Sequence, residues 1–396
     1  MTASKPLAQI IAAVRSPIGT ARKGSLANLD VAEIAQPVIA AAIERSGLDS
    51  QAFEDLLMAE VYQGGGDTAR YVTVSLGLES IPGVALNRQC ASSLTAISLG
   101  AAQIASGMSR ALLAAGAESL STSPLSRKRK PFSTGTEPTD YVDPWFSPSH
   151  PDTPEAPAMD MSITVAHNCA QRFGISRVAQ DEWALRSHHR AISAIDSGHF
   201  IDEIVPIHVP QADGTVNLFA ADEHPRRGST LESLAGLKVL HPEIEGFTVT
   251  AGNASGLNDG ASAIALSAPG ATPNPLASIL SWSSVGLSPR DTGAGPISAI
   301  PKALALAGIH LNDVAVFEIN EAFAAQAIAC TKELGLNEEN VNVYGSGISI
   351  GHPIAATGAR MVTSLIYELR RRGGGFGVAA MCAGGGMGSA LVLRVD

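Results

Sequence analysis

Charged side chains are scarce in this sequence: they make up 16% of its 396 residues, while hydrophobic residues make up 45%. That balance excludes a disordered chain and favours a well-buried globular protein. The net charge of −10 disfavours a nucleic-acid partner or an anionic membrane surface. No run of about 18 apolar residues is present, and the first residues lack the regions of a signal peptide, so we expect no membrane span.

Cysteine is also rare, with four residues at Cys90, Cys169, Cys330 and Cys382. They lie far apart and form no CxxC pair, which excludes the usual zinc sites and disulfide scaffolds. We therefore expect no metal ion and a location in the reducing cytoplasm.

The chain is too long for one ordinary core, so two or three domains are expected. Its first ~120 residues alternate strand-like and helix-like segments, such as the helical pattern from Val31 that ends at Gly47. This order predicts α/β structure with a largely parallel sheet covered by helices. The same order returns from about Ala277, which predicts two similar α/β halves.

The segment 120–246 differs from both halves because it is rich in proline, serine and charge. It is too long for a plain connection, so it predicts an inserted functional subdomain. Within it, one helix is expected between Ser176 as N-cap and Gly198 as the terminating residue. A basic patch, Arg127 to Lys130, could meet a neighbouring subunit or the phosphates of a ligand.

Cys90 lies in "NRQCASSLTA", where a strand-like segment gives way to a helix-like one. Unpaired N–H groups at a helix start attract negative charge, so a thiolate here would be stabilised and the pKa of the thiol lowered. The pattern predicts a nucleophile. A small buried core cysteine is the other interpretation that this stretch leaves open.

Four more stretches place polar residues at strand ends or helix starts: "GSGISIGHPIAATGAR" with His352, "EINEAFAAQ" with Asn320, "AAMCAGGGMG" with Cys382 and "TVTAGNASGLNDGAS" with Ser255. Taken singly, each residue has an ordinary interpretation as a helix cap or a turn. The first stretch is also similar to a dinucleotide-binding loop, but its glycine spacing differs. Together they predict one site, because ligand sites in α/β folds lie at the carboxyl ends of strands.

Five motifs, "NRQCASSL", "TVTAGNASGLNDGA", "NEAFAAQ", "GHPIAATGAR" and "CAGGGMG", occur in the order and at about the spacing of the thiolases. The sequence resembles this family over nearly its whole length. The resemblance implies an α/β thiolase fold: two similar βαβαβαββ halves in a layered α/β/α/β/α arrangement with an inserted loop domain. It implies domains at 1–121 plus 247–270, at 122–246 and at 271–396. It also implies a homodimer or homotetramer.

The resemblance further implies a division of labour among the catalytic residues. Cys90 would carry the acyl group, and His352 would activate its thiol and then donate a hydrogen bond to a thioester oxygen. Asn320 would hold a water that completes that oxyanion hole, while the backbone N–H groups of Cys90 and Gly384 would form a second one. Cys382 would move the proton at Cα. Coenzyme A and acyl-CoA would be substrates, with no other cofactor.

The same resemblance implies that Ser255 contacts the pantetheine arm of CoA, and that Arg226 and Ser233 lie near its adenine end. Arg226 could equally belong to a solvated basic turn. Met161 begins the stretch that matches the His-Met-Gly of short-chain members, so the histidine is missing and specificity for acetoacetyl-CoA is open. Ser93 stands where glycine is usual and adds bulk beside Cys90.

Three other functions stay open at this point. A decarboxylating ketoacyl synthase shares this fold, but the "NEAF" stretch and the second cysteine favour a thiolase. A non-catalytic acyl-CoA or lipid-binding member would be expected to lack Cys90, His352 or Cys382. A nicotinamide dehydrogenase is disfavoured by the glycine spacing.

Overall fold

The computed structural model describes residues 5–396 of the chain. Its first half begins with alternating strands and helices: β1 (Ala8–Arg15), β2 (Gly19–Thr20), α1 (Val31–Ser46), β3 (Leu56–Ala59), α2 (Thr68–Ser75), β4 (Gly83–Leu86), α3 (Ser92–Ala105) and β5 (Ala111–Glu118). The sequence predicts α1 correctly. Asp30 and Glu33 form a reciprocal capping box at its start, and Gly47 ends it with a φ of +71°.

The inserted loop domain follows β5 and holds short elements and one long helix: β6 (Lys128–Arg129), β7 (Tyr141–Val142), α4 (Asn168–Phe173), α5 (Arg177–Asp196), β8 (Ile207–Pro210), β9 (Val216–Phe219) and α6 (Leu231–Ala235). A π-helical turn, Ser162–His167, leads into α4. Ser176 caps α5 as predicted, since its side chain accepts from the N–H of Ala179. Buried ion pairs from Arg15 to Glu203 (2.6 Å) and Asp222 (2.7 Å) attach this domain to β1.

The chain then returns to the first half with one strand and builds the second: β10 (Asn258–Ser267), β11 (Ala277–Gly286), α7 (Gly295–Ala307), β12 (Val314–Ile319), α8 (Ala324–Glu333), α9 (Thr357–Arg371), β13 (Gly375–Ala383) and β14 (Met387–Val395). Short 3₁₀ helices occur at Ser50–Ala52, Pro138–Asp140, Pro289–Ala294, Leu311–Asp313 and Glu338–Asn340. Both halves follow the order βαβαβαββ. In the second half, the third strand is reduced to a single parallel bridge between Val341 and Phe317.

Within residues 5–396 one mixed sheet connects the halves, in the order β12-β13-β14-β11-β1-β10-β5-β3-β4, with β2 paired to β10. Strands β1 and β11 join the halves by antiparallel pairing. The predicted, largely parallel sheet is wrong: β3 pairs in parallel with β4 and β5, and β12 with β13, but the other pairs are antiparallel. The reason is that β10 and β14 are not reached through a helical crossover.

Three hydrophobic cores define the layers. The central core lies between α3 and α9 and includes Leu94 and Leu365 from these helices. A second core lies under α1, and a third lies under α7 and α8. This is the α/β/α/β/α arrangement that the sequence predicts. The domain boundaries given above stay a prediction. No helix in residues 5–396 is both long enough and apolar enough to cross a membrane.

Candidate active site

Cys90 is held in a tight turn that leads from β4 into α3. The side chain of Asn87 accepts from the N–H of Gln89 at 2.8 Å, and Gln89 has a φ of +50°. Ser92 closes the turn, since its hydroxyl donates to the carbonyl of Gln89 (2.5 Å) and accepts from the N–H of Arg88 (2.8 Å). A left-handed conformation at a residue other than glycine is unfavourable and is common at functional sites. The turn therefore fixes the position of Cys90 at the cost of local strain.

Burial raises the pKa of the Cys90 thiol to about 11. Hydrogen bonds from the backbone N–H groups of Gly384 and of Cys90 itself act in the opposite direction, while the nearby Glu118 carboxyl raises this pKa further. The prediction of a lowered pKa is wrong, because desolvation outweighs the helix start. Cys90 therefore rests as a neutral thiol, with two backbone N–H groups directed at its sulfur.

The glycine turn after β13 supplies one of those N–H groups. Gly385 and Gly386 have φ values of +89° and +78°, a conformation that favours glycine. The hydroxyl of Thr292 accepts a hydrogen bond from the N–H of Gly386 at 2.9 Å. Thr292 thus helps to aim the N–H of Gly384 at Cys90, a role that the sequence motifs did not indicate.

His352 and Asn320 lie together in a buried position. The side-chain amide of Asn320 approaches His352 Nε2 at 3.4 Å, and the backbone N–H of His352 donates to Asn258 at 2.9 Å. Burial lowers the pKa of His352 to about 3, and the charge of Arg360 acts in the same direction. His352 therefore rests as a neutral imidazole, which can serve as a base.

Thr357, in the first turn of α9, determines which nitrogen of His352 carries the proton. Its hydroxyl donates to the carbonyl of Pro353 at 2.8 Å and lies 2.6 Å from His352 Nδ1. Since the hydroxyl proton is already used, the Thr357 oxygen accepts from an Nδ1–H group. His352 Nε2 is then unprotonated and faces Asn320.

Replacing Thr357 with valine is expected to lower kcat by roughly tenfold or more, because the base loses the group that fixes its tautomer and orientation. Thr357→Ser keeps the hydroxyl and is expected to retain most of the activity. Steady-state kinetics of both variants would measure this. Normal kcat in Thr357→Val would contradict the role of the hydroxyl, and a loss in Thr357→Ser as large as in Thr357→Val would mean that the hydroxyl alone is not enough.

Cys382 lies at the end of β13 and is only 1% exposed. Burial raises the pKa of its thiol well above the usual value, and the neighbouring Cys90 is the next largest cause. Cys382 packs with Val165 and Ala322, and Met161 and Phe323 contact the same cluster. The structure thus places the predicted residue Met161 beside the second cysteine.

The predicted CoA-binding residues lie around the loop before β10. The N–H of Ser255 donates to the carbonyl of Ala322 at 3.0 Å. The ring of His224 fills the space beside Gly256, and the N–H of Arg226 donates to His188 at 3.3 Å. Ser233 lies in the first turn of α6 and forms a reciprocal capping box with Thr230, and the next residue, Leu234, packs against Gly252. The side chains of Arg226 and Ser233 are exposed, so a ligand on this surface could reach both.

Glu118 is a further residue of the site that sequence reasoning missed. Its carboxylate accepts from the N–H of Tyr62 (2.9 Å), the amide of Gln63 (2.6 Å) and the N–H of Ala355 (3.2 Å). Burial raises the pKa of this carboxyl to about 7. Glu118 thus connects the end of β5 to two loops near Cys90. Its position at the carboxyl end of a strand, β5, is the signal that could have identified it.

Two protein-family models match the sequence and together cover nearly all of it. The model described as "Thiolase, N-terminal domain" matches residues 8–269, and "Thiolase, C-terminal domain" matches residues 273–395. The chain belongs to the thiolase family. An acetyl-CoA acetyltransferase from Escherichia coli strain K12 is 40% identical over 97% of this chain and 98% of its own length.

Two further thiolases resemble this one over the whole chain. The crystal structure of the Bacillus anthracis acetyl-CoA acetyltransferase has a TM-score of 0.91 and 39% identity, and the match covers 100% of both chains. A beta-ketoadipyl-CoA thiolase from Acinetobacter baylyi is 38% identical over 98% of this chain and 99% of its own. As a thiolase, the protein is an acyltransferase that acts on CoA thioesters. No group of His, Cys, Asp and Glu in the described residues could hold a metal ion.

Proposed function

We propose that this thiolase cleaves 3-ketoacyl-CoA with CoA, and runs the reverse condensation, in two half-reactions through an acyl group on Cys90. The observation that carries the proposal is that the N–H of Gly384, from the other half of the chain, bonds to the Cys90 sulfur, while Cys382 lies close to the same sulfur. Donors in that position can stabilise the negative oxygen that forms when the sulfur attacks a carbonyl carbon.

The first half-reaction starts from two neutral groups, the Cys90 thiol and the His352 imidazole. Because the thiol has a pKa of about 11 and the imidazole about 3, the proton moves to Nε2 as the sulfur attacks, rather than before. The bond from sulfur to C3 forms, the C2–C3 bond breaks, and its electron pair stays on C2 as the enolate of acetyl-CoA. Protonated His352, with Asn320 beside it, then donates to the thioester oxygen of that enolate.

Cys382 completes the proton balance. Its thiol protonates C2, acetyl-CoA leaves, and the Cys382 thiolate takes the proton of an incoming CoA thiol. The CoA sulfur attacks the acyl carbonyl, the bond to Cys90 breaks, and His352 returns the proton to Cys90. All three groups end as they began, so the cycle needs no other reactant.

Substrate binding, assembly and location belong to the same proposal. Met161 lines the acyl site beside Cys382, and Ser255, Arg226 and Ser233 bind CoA on the surface around the 251–257 loop. We infer a homodimer or homotetramer in the cytoplasm. The relatives act on acetyl-CoA or beta-ketoadipyl-CoA by their names, which leaves the acyl group of this thiolase to be argued from its own residues.

The test is to incubate the purified protein with acetyl-CoA in the absence of CoA and to measure intact and peptide masses. We expect an acetyl group on the Cys90 peptide that added CoA removes. CoA binding without any acyl adduct would overturn the proposal in favour of a non-catalytic binding protein. An adduct that forms only through decarboxylation of a malonyl donor would favour a ketoacyl synthase.

A further inference from the structure

Helix α9, which follows His352, begins without a capping side chain of its own. Its N-cap residue is Ala356, which has no polar side-chain atom, and the backbone there is helical (φ −86°, ψ −20°) rather than extended as in a usual N-cap. The first N–H groups of a helix have no partner within the helix, and leaving them unpaired is costly when they are buried. The residues of the first turn of α9 are buried, so these groups need acceptors from elsewhere in the fold.

The first half of the chain supplies two such acceptors. The hydroxyl oxygen of Ser93, in the first turn of α3, accepts from the N–H of Ala359 at 3.0 Å. The carboxylate of Glu118, at the end of β5, accepts from the N–H of Ala355 at 3.2 Å. Both side chains are fully buried. Ser93 therefore caps a helix in the other half of the chain, rather than only adding bulk beside Cys90.

Helices α3 and α9 approach each other closely at this contact. A Cβ atom added at Gly358 would lie 2.6 Å from the backbone nitrogen of Leu94 and 3.1 Å from the hydroxyl oxygen of Ser93. A Cβ atom added at Gly116 of β5 would lie 2.9 Å from the Cβ atom of Ser93. Because no side chain separates the two helix starts, the short side chain of Ser93 reaches the backbone of α9 directly.

This contact lies between the segments that hold the two reacting groups. On the side of α3, the neighbouring Ser92 closes the turn that holds Cys90. On the side of α9, Thr357 lies in the same helical turn as Ala359, and its hydroxyl contacts His352 Nδ1 at 2.6 Å. Proton transfer requires the two groups to be within hydrogen-bond reach, and a misplacement of about 1 Å can cost about 10²-fold in rate. The position of the base relative to the thiol therefore depends on how α9 is held against α3.

We propose that Ser93 is a positioning residue that keeps His352 within reach of Cys90 by capping α9 from the opposite half of the chain. The inference rests on the proposed function, since it takes His352 as the base for the Cys90 thiol. Ser93 acts through the helix and takes no part in making or breaking bonds. Glu118 contacts the same helix start, but its charge also acts on Cys90, so Ser93 is the better position for a test.

The test replaces Ser93 with alanine, which removes the hydroxyl and changes the volume of the side chain little. In single-turnover acetylation by acetyl-CoA, we expect the maximal rate of Cys90 acylation to fall by about 10- to 100-fold, as a slight misplacement of a reacting group predicts. The acetyl-CoA concentration that gives half of this rate should stay unchanged, because Ser93 does not act on the binding of CoA. Peptide mass spectrometry of quenched samples would measure both quantities.

The matched control is Ser98→Ala. Ser98 is also buried in α3, but its hydroxyl donates to the carbonyl of Leu94 within the same helix at 2.8 Å. The control thus removes a buried hydrogen bond that does not involve α9, and it should acylate at the normal rate. Thermal unfolding of both variants would record any loss of stability separately from the loss of rate.

Two results would overturn the inference while the proposed function stands. One is a normal maximal rate of acylation in Ser93→Ala, measured well below its unfolding temperature, whatever its loss of stability. The other is an equal loss of rate in Ser98→Ala, because the contact with α9 would then have no special role. Absence of the acetyl adduct in the unmodified protein would instead contradict the proposed function.

Discussion

Alanine at position 90 is expected to abolish the acyl-enzyme adduct and to lower turnover by at least about 10⁴-fold. The reason is geometric: the N–H groups of Cys90 and Gly384, which we propose as the oxyanion hole, lie at that sulfur and would bind the oxygen of a carbonyl carbon bonded to it. A sulfur elsewhere would not place the oxygen between them. Peptide mass spectrometry after incubation with acetyl-CoA and steady-state thiolysis would measure the two losses.

The matched control is Cys169→Ala, because Cys169 is a free cysteine too but is buried in α4, outside the Cys90 turn. This variant is expected to form the adduct normally. Cys90→Ser is informative as well: serine keeps the size of the side chain, but its hydroxyl is far harder to ionise and is a weaker nucleophile. An adduct that persists in Cys90→Ala, or that moves to Cys382, would assign the acyl group to a different residue.

The places of the proposed catalytic residues in the fold could be predicted because they depend on local signals. Asn320 follows β12, Cys382 ends β13, and Cys90 and His352 precede helices. Strand ends and helix starts can be read from hydrophobic patterns and glycines. Their convergence follows from the general rule that sites lie at the carboxyl ends of strands. The order of the five motifs then identified the family.

The electrostatic state of the site could not be predicted in the same way. The pKa of Cys90 depends on how far other segments bury it, and the N–H that opposes this burial comes from Gly384 in the other half of the chain. The roles of Thr357 and Thr292 depend on hydrogen bonds that the motifs do not encode.

The helices that cover the sheet were easier to predict than the strand directions within it. A capping box and a glycine mark α1 in the sequence. The direction of β10, in contrast, depends on how the chain returns from a long insertion, which no local pattern records. Antiparallel pairing of β10 with both β1 and β5 is therefore a property of the whole first half.

Replacing Cys382 with alanine is expected to separate acyl transfer to Cys90 from proton transfer at Cα of acetyl-CoA. The acetyl adduct on Cys90 should still form, because Cys90, Gly384 and His352 are unchanged and His352 can protonate the departing CoA sulfur. Turnover and the exchange of methyl hydrogens of acetyl-CoA with D₂O should both fall by about 10²–10⁴-fold, the usual contribution of a general acid–base group. Single-turnover acylation and mass measurement of deuterium in acetyl-CoA would record these effects.

Cys330→Ala is the matched control for that experiment. Cys330 lies in α8, is fully buried, and has a thiol whose pKa is also raised by burial. The thiol donates to the carbonyl of Gly293 in the neighbouring 3₁₀ helix. The Cys330→Ala variant should exchange the methyl hydrogens of acetyl-CoA with D₂O at the normal rate. If Cys382→Ala exchanged these hydrogens at the normal rate, another base would have to remove the Cα proton. His352 would then be the next candidate. Loss of both the adduct and the exchange would mean that Cys382 is needed to shape the Cys90 site, since it packs with Val165 and Ala322 close to Cys90.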